Sequence, residues 1–356
     1  MNKLDLTKKG KREQTSIVDI AKKLHIAPST VSRALSNHPK ISEKTKKKVI
    51  ECANRMNYKH NQIASSLRTG KTNTIGVIVP RLYSHFISSV ISGIESVTNE
   101  AGYNIIICQS SENLKNEKNC IKTLLSSRVD GILISVSMET VNDDHLRDIS
   151  LMNVPFLFFD RALKNSKACS VTSNDFLGAY TATEHLIKQG CRKIAHIGGH
   201  LNLNIYEQRL KGFKKALTDN HLKVNESLIF NSGEMTNNAG MEFAEKLWNG
   251  NNVPDGIFAS NDNMATGVMT FFIGKGKKIP EDIAIVGYSN ASFTQWITPA
   301  LSSVEQHSRQ IGIEAAKLII KEIETDKEAD TKDLQTENVV LNPELIIRAS
   351  SNRINS

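Results

Sequence analysis

The sequence predicts an α/β protein that consists of a small all-α N-terminal head, a short hinge and a larger body with parallel sheets. Three short runs of apolar residues at helical spacing occupy residues 17–56, and from Thr74 onward strand patterns alternate with helical patterns. Residues 1–72 carry 17 Lys and Arg against 5 Asp and Glu, whereas the remaining residues carry 28 against 32. A basic head on a mildly acidic body indicates that one end of the chain meets a phosphate backbone.

The head begins with two short helices that are joined by a three-residue turn at residues 25–27. Pro28 suits the first position of the second helix, where its missing N–H costs nothing. A third helix follows, with Ser42 as its N-cap. Two helices across such a turn match the helix-turn-helix geometry, whose second helix enters the major groove of DNA. The apolar stripe of the first helix comprises Ile17, Ile20, Ala21 and Leu24.

The second helix presents an outer face with small side chains and one arginine, and this face consists of Pro28, Ser29, Ser32 and Arg33. Arg33 can pair with O6 and N7 of guanine, which contributes about 1–3 kcal/mol of discrimination. Thr30 and Ser42 are better placed to donate to phosphates. A generic three-helix bundle with a solvated lysine face fits the same helices, so their pattern alone leaves both interpretations open.

The body contains eight or more predicted strands over about 280 residues, which is typical of two similar halves with a cleft between them. The strands are IGVIVP, YNIIICQ, GILISV, PFLFFD, ACSVTSN, KIAHIGG, GIFASN and IAIVGYSN. Ligands of such sheets bind beyond the carboxyl ends of the strands. That criterion selects residues 81–86, Ser137, Asp160 with Arg161, Asn261 with Asp262, and Ser289 with Asn290.

Carboxylates, amides and an arginine that converge on a cleft suit a polyol such as a sugar, and Phe86 can stack on its apolar face. Each group also has a structural alternative. Asp160 and Arg161 can form an ion pair, and Asn261 with Asp262 can cap a helix that begins at Met264.

The sequence predicts no metal site, no cofactor and no catalytic centre. The cysteines are odd in number and none shows CxxC spacing, and they are Cys52, Cys108, Cys120, Cys169 and Cys191. No GxGxxG motif follows a strand, no GxSxG motif is present, and GKGKK at residues 274–278 lacks the spacing of a phosphate loop. An enzyme fused to a DNA-binding head is therefore a minor alternative. The chain also has no apolar secretory segment and no run of about 18 apolar residues.

The sequence strongly resembles the lactose-repressor (LacI/GalR) family of bacterial transcription regulators. In the head the resemblance rests on APSTVSRALSNHPKISEKTKKKV, followed by MNYKHNQIASSLRTGKTNTIGVIVP. In the body it rests on RVDGILIS, VPFLFFDR, EHLIKQGCRKIAHIGG, QRLKGFKKAL, FASNDNMATG, IPEDIAIVGYSN and TPALSSVEQ, which occur in the family's order. The turn departs from the family, which commonly has glycine and serine where this chain has His25 and Ala27.

The resemblance implies a division into a basic tail at residues 1–15, a helix-turn-helix domain at 16–60, a hinge helix and linker at 61–72, and an effector-binding and dimerisation domain at 73–356. It also implies that the body resembles periplasmic sugar-binding proteins and crosses three times between its halves. We expect these crossings near residues 160–167, 298–304 and 326–336. The N-subdomain then comprises about 73–162 and 302–330, and the C-subdomain about 163–301 and 331–350.

The hinge, NQIASSLR at residues 61–68, is too short to form a stable helix alone in water. In the family the matching segment folds on operator DNA, and this places Asn61 and Leu67 among the DNA-binding residues. The residue that matches Leu67 is a wedge in the minor groove, whereas an ordinary linker leucine packed on the body is the alternative. An apolar wedge unstacks a base step and bends the duplex.

By resemblance, Arg209 is the family's effector-binding arginine and opens its helix, and Asp160 and Asn261 match effector contacts. Where many members have aspartate, this chain has Ser289, followed by Asn290. The loss of that carboxylate favours sugar phosphates or other anionic carbohydrates. The expected effector-binding residues are Phe86, Ser137, Asp160, Arg161, Arg209, Asn261 and Ser289.

The expected function is a sequence-specific transcriptional regulator, a repressor with an activator of the same family as an alternative, whose affinity for an inverted-repeat operator is controlled by a small carbohydrate-like effector. We expect a homodimer, located in the bacterial cytoplasm at the nucleoid and without a membrane partner, and the resemblance implies that residues 87–99 form part of the dimer contact. No leucine heptad follows Arg348, so a C-terminal tetramer is not expected. A constitutive DNA-bending protein without an effector is the alternative.

Leu67→Ala should weaken binding to the operator far more than binding to random DNA, because only the specific complex contains the bent, unstacked step. Fluorescence anisotropy titrations with both DNAs test this. Equal losses on the two DNAs would contradict the wedge role.

Overall fold

The computed structural model describes residues 15–58, 71–164, 166–250, 252–325 and 337–353. The chain divides into two compact units, Met1–Thr72 and Asn73–Ser356. The predicted hinge contacts Asn61 and Leu67 lie outside the described residues, and they stay predictions. No helix in the described parts of the chain is long and apolar enough to span a bilayer.

The head is a three-helix unit, as the apolar spacing predicts. Its core consists of buried residues from every helix, namely Ile20, Ala21, Val31, Ala34, Val49, Cys52 and Ala53. Ser42 caps the third helix by accepting a hydrogen bond from the N–H of Thr45. The helices are α1 (Ile17–Leu24), α2 (Pro28–Leu35) and α3 (Glu43–Arg55).

The turn of the head is built without the glycine and serine that are common in the family. His25 ends α1 in the left-handed region, with φ of 50°. Ala27 is the N-cap of α2 and makes no side-chain hydrogen bond, while Pro28 supplies a first residue that needs no cap partner. A serine cap typically adds about 1 kcal/mol, so α2 forms here without that contribution.

The body folds into two lobes, each around a six-stranded sheet. The strands of the first sheet are β1 (Thr74–Val79), β2 (Asn104–Gln109), β3 (Gly131–Ile134), β4 (Phe156–Phe159), β5 (Ser170–Ser173) and β11 (Asn338–Leu341). Those of the second are β6 (Ile194–Gly198), β7 (Ile229–Asn231), β8 (Gly256–Ala259), β9 (Ala284–Tyr288), β10 (Ser302–Glu305) and β12 (Glu344–Ile346). The orders are β11-β5-β4-β3-β1-β2 and β12-β10-β9-β8-β6-β7. All described pairs are parallel except β10 with β12.

Helices cover both faces of each sheet, which explains the near-continuous apolar runs in the central strands. The helices of the first lobe are α4 (His85–Glu100), α5 (Leu114–Ser126), α6 (Arg147–Leu151) and α11 (Ser308–Glu324). Those of the second are α7 (Asp175–Lys188), α8 (Asn204–Asp219), α9 (Asn237–Asn249) and α10 (Asp262–Gly274).

All three predicted crossings, near residues 160–167, 298–304 and 326–336, are misplaced. β5 pairs with β4 and β11, so the chain leaves the first lobe only after Ser173. β10 pairs with β9, so the chain returns only after Glu305. β11 still belongs to the first sheet and β12 to the second, so the last crossing follows Leu341. We call the described residues within 73–173, 308–325 and 337–341 the N-lobe, and those within 175–305 and 344–353 the C-lobe.

The error has a physical cause. The strands that flank the crossings are three or four residues long and lie at or beside the sheet edges, where backbone pairing rather than an apolar run defines them. The helix that carries Arg209 also begins earlier than predicted, at Asn204, so Arg209 lies in its second turn rather than at its start.

The lobes contact each other through apolar side chains. Leu203, Ile205 and Tyr206, at the start of α8, are buried in one cluster with Val136 and Phe158 of the N-lobe. This cluster joins the two lobes by apolar packing.

Two glycines set the distance between α4 and α11. A Cβ added to Gly93 would lie 2.1 Å from the carbonyl oxygen of Arg309, and one added to Gly312 would lie 2.0 Å from that of Val90. The two backbones therefore approach as closely as glycine allows.

Gly93→Ala should lower the free energy of unfolding by about 1–3 kcal/mol, because the new methyl group forces α4 away from α11. Gly274→Ala is the matched control, since its Cβ would meet no atom within 4 Å. We expect the control to be neutral or to stabilise by up to about 1 kcal/mol. Urea unfolding of both variants measures the difference, and equal effects would contradict the close approach.

Candidate functional site

The head exposes most of the residues predicted to contact DNA. Pro28, Ser29 and Arg33 are exposed on α2, whereas Thr30 and Ser32 are half-buried. Arg33 makes no ion pair with any residue that the structure describes. Ser42 is exposed and already caps α3. Their roles in DNA binding stay predictions, and the exposed face of α2 is the surface that they require.

A cleft of about 490 Å³ lies between the two lobes, at the carboxyl ends of their strands. Both lobes contribute charged, amide and aromatic side chains to its wall. Of the predicted effector-binding residues, the wall includes Phe86, Asp160, Arg161, Arg209, Asn261 and Ser289. The strand-end criterion selected five of these side chains, and Arg209, which was selected by resemblance, lies in the same wall.

Ser137 is the exception, because it does not line this cleft. Its backbone N–H donates to Glu117 Oε2 at 2.6 Å, and its hydroxyl bonds with Thr140 at 2.9 Å. Glu117 also contacts His145 at 2.6 Å. Ser137 therefore belongs to a buried network that fixes the loop after β3, and its assignment to the cleft wall is wrong.

Arg209 is the most heavily committed cation of the cleft. Its Nε donates to Asp175 Oδ1 at 2.8 Å, and another guanidinium nitrogen donates to the carbonyl of Ser260 at 2.8 Å. The guanidinium carbon lies 3.7 Å from the ring centroid of Tyr288, whose hydroxyl also donates to Asp175. Burial alone would lower the pKa of Arg209, but Asp175 holds it above its ordinary value. Arg209 therefore stays positively charged, and its partners hold it in one position in the cleft wall.

Arg161 and Glu112 form a bidentate pair on the N-lobe wall. The two terminal nitrogens of Arg161 donate to the two carboxylate oxygens of Glu112 at 2.8 and 3.1 Å. Arg81 approaches the same carboxylate at 3.5 Å. Burial would raise the pKa of Glu112, but the charge and hydrogen bonds of Arg161 outweigh it and hold this pKa below its usual range. Glu112 is therefore ionised beside two cations.

Asp160 lies directly after β4 in the left-handed region of backbone conformation. Its φ is 60°, which aspartate adopts more readily than most residues other than glycine. Burial raises its pKa to about 6, although Arg161 opposes the shift. The hydroxyl of Ser135 donates to its carboxylate at 3.3 Å. The predicted ion pair with Arg161 is loose, at 3.9 Å, because Arg161 is held by Glu112.

Asn261 and Asp262 divide the two roles that the sequence left open. Asn261 caps α10 by accepting from the N–H of Asn263, and it also lines the cleft. Asp262 accepts from the hydroxyl of Ser303 at 2.6 Å and from the N–H of Ala291 at 2.7 Å. Burial raises the pKa of Asp262 to about 7. Asp262 thus connects the segment after β9 to β10. The helix that was predicted to begin at Met264 is α10, and it begins at Asp262.

Ser289 and Asn290 point to different partners. Ser289 has φ of 102° and donates its hydroxyl to Gln306 at 3.0 Å, in the cleft wall. Asn290 donates to Glu305 at 2.8 Å and accepts from Arg348 at 2.7 Å. Asn290 therefore anchors the loop, while Ser289 faces the cleft.

Aromatic side chains supply flat apolar surfaces to the cleft. Phe86 and Tyr206 are largely buried, Phe293 lies at the wall, and Tyr83 is 76% exposed. Among these, only Phe86 is a predicted stacking residue.

Sequence reasoning missed Glu112, Tyr206 and Gln306 as members of the wall. Glu112 and Gln306 follow the ends of β2 and β10, so the same strand-end criterion would have found them once those strands were placed. Tyr206 carries no such signal. No group of three or more His, Cys, Asp or Glu among the described residues could hold a metal ion.

Comparisons with known proteins agree with the two-part architecture. Residues 16–61 match the family described as "Bacterial regulatory proteins, lacI family", and residues 183–351 match "Periplasmic binding protein-like domain". The HTH-type transcriptional repressor PurR of Vibrio vulnificus is 31% identical over 342 residues, which cover 96% of this chain and 99% of PurR. Catabolite control protein A of Priestia megaterium is 32% identical over 307 residues, or 86% and 92% of the two chains.

Solved structures show the same fold. The transcription regulator CcpA of Lactococcus lactis aligns with a TM-score of 0.71 at 27% identity, over 78% of this chain and 98% of its own. The lac repressor dimer bound to operator and the anti-inducer ONPF aligns with a TM-score of 0.84 at 24% identity, over 95% and 99%. This chain therefore belongs to the lacI family of bacterial regulatory proteins, and it is a DNA-binding transcriptional regulator with a ligand-binding body.

Proposed function

We propose that this protein is a repressor that binds an inverted-repeat operator as a homodimer, and that a small hydroxylated effector in the interlobe cleft, a sugar or sugar derivative, sets its affinity for DNA. The cleft wall carries the proposal. Side chains from both lobes converge on about 490 Å³ and combine carboxylates, guanidiniums and amides with aromatic faces. Polar groups that fix orientation beside flat apolar surfaces suit a polyol ring.

The chain connections support control by the effector. The lobes are joined by three short crossings, after Ser173, Glu305 and Leu341. A ligand that contacts both walls favours one arrangement of the lobes over others, and it can shift the equilibrium only by its difference in affinity for these arrangements. A coupling of about 1–3 kcal/mol per site changes operator occupancy substantially.

Dimerisation follows from the small size of the reading surface. One three-helix head buries little DNA surface, and two heads on inverted half-sites read a longer sequence. α4 contains residues 87–99, the predicted part of the dimer contact, and its inward face packs on α11. Sedimentation of the full-length protein tests the dimer.

We further propose that the body binds its ligand without turnover, in the cytoplasm and at the nucleoid. Of the three carboxylates that line the described cleft wall, Glu112 is engaged by Arg161, Asp262 by Ser303 and Ala291, and Asp160 by the hydroxyl of Ser135. A general acid or base has to be able to exchange a proton with the substrate. Product formation from a bound ligand, followed by NMR, would support the enzyme alternative.

The central test is an anisotropy titration of full-length protein with operator DNA selected from a random library, repeated with a panel of sugars, sugar phosphates and uronates. We expect one class to change operator affinity about tenfold or more. If no member changes it, the constitutive DNA-bending alternative is favoured.

Asn261→Ala should abolish the effect of the effector on DNA binding, because it removes an amide from the cleft wall. Asn113→Ala is the matched control, since Asn113 is also a helix N-cap but lies outside the wall. Both variants should lose about 1 kcal/mol of stability from the missing cap. An unchanged response of Asn261→Ala in the anisotropy titration would contradict its assignment to the site.

Asp160→Asn should flatten part of the pH dependence of stability. The pKa of Asp160 is raised from 3.8 to about 6, so folding favours its protonated form. Its contribution to stability is present below the unfolded pKa and is lost as pH rises through about 6. From pH of about 4 to about 7, wild type should therefore lose about 1–3 kcal/mol relative to the variant. Urea unfolding at several pH values measures this, and Asp262 titrates in both proteins. Parallel profiles would contradict the shift.

A further inference from the structure

We propose that the effector is an acid, a hydroxylated ligand with a carboxylate or phosphate, and that Arg81 with the N-terminus of α4 binds its anionic group. This inference rests on the proposed function and names the ligand class of the same cleft.

Arg81 is the less firmly paired of the two guanidiniums on the N-lobe wall. Glu112 accepts both terminal nitrogens of Arg161 and a hydrogen bond from the N–H of Met138 at 3.0 Å. Arg81 reaches Glu112 only at 3.5 Å and donates to the hydroxyl of Tyr83. Its side chain is 33% exposed and lines the cleft. Glu112 is therefore held mainly by Arg161, which also lies 3.9 Å from Asp160, and Arg81 is the more accessible and less firmly paired guanidinium.

The N-terminus of α4 adds positive potential at the same place. Ser84 is the N-cap of this 16-residue helix and makes no side-chain cap hydrogen bond. Ser84, His85 and Phe86 all line the cleft next to Arg81. Unpaired N–H groups and the helix dipole at such an end favour an anion.

An independent observation points to a ligand on this wall. Arg161 is 8% exposed, and its Nε has no hydrogen-bond partner among the described residues. The nearest carboxylate oxygen, Oδ2 of Asp160, lies 3.9 Å away. A buried guanidinium N–H without a hydrogen-bond partner costs free energy, so a ligand oxygen that accepts from it after a small shift of the wall would bind favourably.

The rest of the wall explains why the ligand is also hydroxylated. Asp160 can accept from hydroxyl groups, and Ser289 and Gln306 offer neutral partners on the C-lobe side. Asp262, the C-lobe carboxylate in the described wall, is engaged by Ser303 and Ala291. The C-lobe wall therefore adds little repulsion to an anion held by Arg81, which fits an acid sugar better than a simple anion.

The experiment is calorimetric titration of the full-length protein with inorganic phosphate at constant ionic strength. We expect Arg81→Gln to weaken phosphate binding at the cleft about tenfold or more, because a charge-assisted hydrogen bond is lost. Arg81→Lys should retain part of the affinity. Arg147→Gln removes an equal charge from an exposed position outside the cleft and should leave binding unchanged. Phosphate bound to the basic head is common to all four proteins and cancels.

Glucose, glucuronate and glucose 6-phosphate then distinguish a neutral ligand, a carboxylate and a phosphate. Tighter binding of either acid than of glucose, lost in Arg81→Gln, supports the proposal. The proposal is overturned if phosphate binds wild type and Arg81→Gln equally, if it does not bind wild type, or if glucose binds as tightly as both acids. A neutral sugar that controls DNA binding independently of Arg81 would leave the proposed function intact. If phosphate binds through Arg81 but no ligand changes the affinity for operator DNA, the proposed effector control is refuted and the anion site at Arg81 is still supported.

Discussion

The buried pair of Arg209 and Asp175 organises the carboxyl edge of the C-lobe. Asp175 begins α7 directly after the first crossing, and Arg209 joins it to the carbonyl of Ser260 after β8 and to the ring of Tyr288 in β9. Gly178 makes room for this arrangement, because a Cβ there would lie 2.5 Å from the hydroxyl of Tyr288. Loss of one partner would leave the other charge buried and unpaired, at about 3–5 kcal/mol. Arg209 is thus a structural residue as well as an expected effector contact, and a defect in its variants does not by itself identify a binding role.

Much of this arrangement could be predicted from the sequence. The apolar stripes of the head are strongly periodic and the central strands of both sheets are near-continuous apolar runs, so both can be predicted without tertiary information. The strand-end rule then placed Asp160, Arg161, Asn261 and Ser289 in one cleft wall. Arg209 was identified by family resemblance, since it lies inside a helix and no local pattern marks it.

The remaining features depend on contacts between distant segments. Four of the strands near the crossings are short, namely β5, β10, β11 and β12. β11 pairs with β5, although more than half of the body's sequence separates them. No local pattern therefore decides to which sheet these strands belong. For the same reason the crossings were misplaced. Ser137 follows a strand end, as the cleft residues do. Its backbone N–H, however, donates to Glu117, which is 20 residues away in sequence, and this contact holds Ser137 in a buried network outside the cleft. Side-chain partners of this kind are fixed by the fold.

The crossings and the cleft share residues, and this suggests how ligand binding reaches the lobes. Asn174, in the first crossing, makes two hydrogen bonds with the third crossing. Its backbone N–H donates to the carbonyl of Leu341 at 2.8 Å, and its side-chain amide donates to Asn342 at 3.2 Å. Gln306, in the second crossing, is bonded by Ser289 in the cleft wall. A ligand that displaces or strengthens the contact between Ser289 and Gln306 would therefore act directly on one of the segments that join the lobes. Because two hydrogen bonds tie the first crossing to the third, a shift of one of these segments would also act on the other.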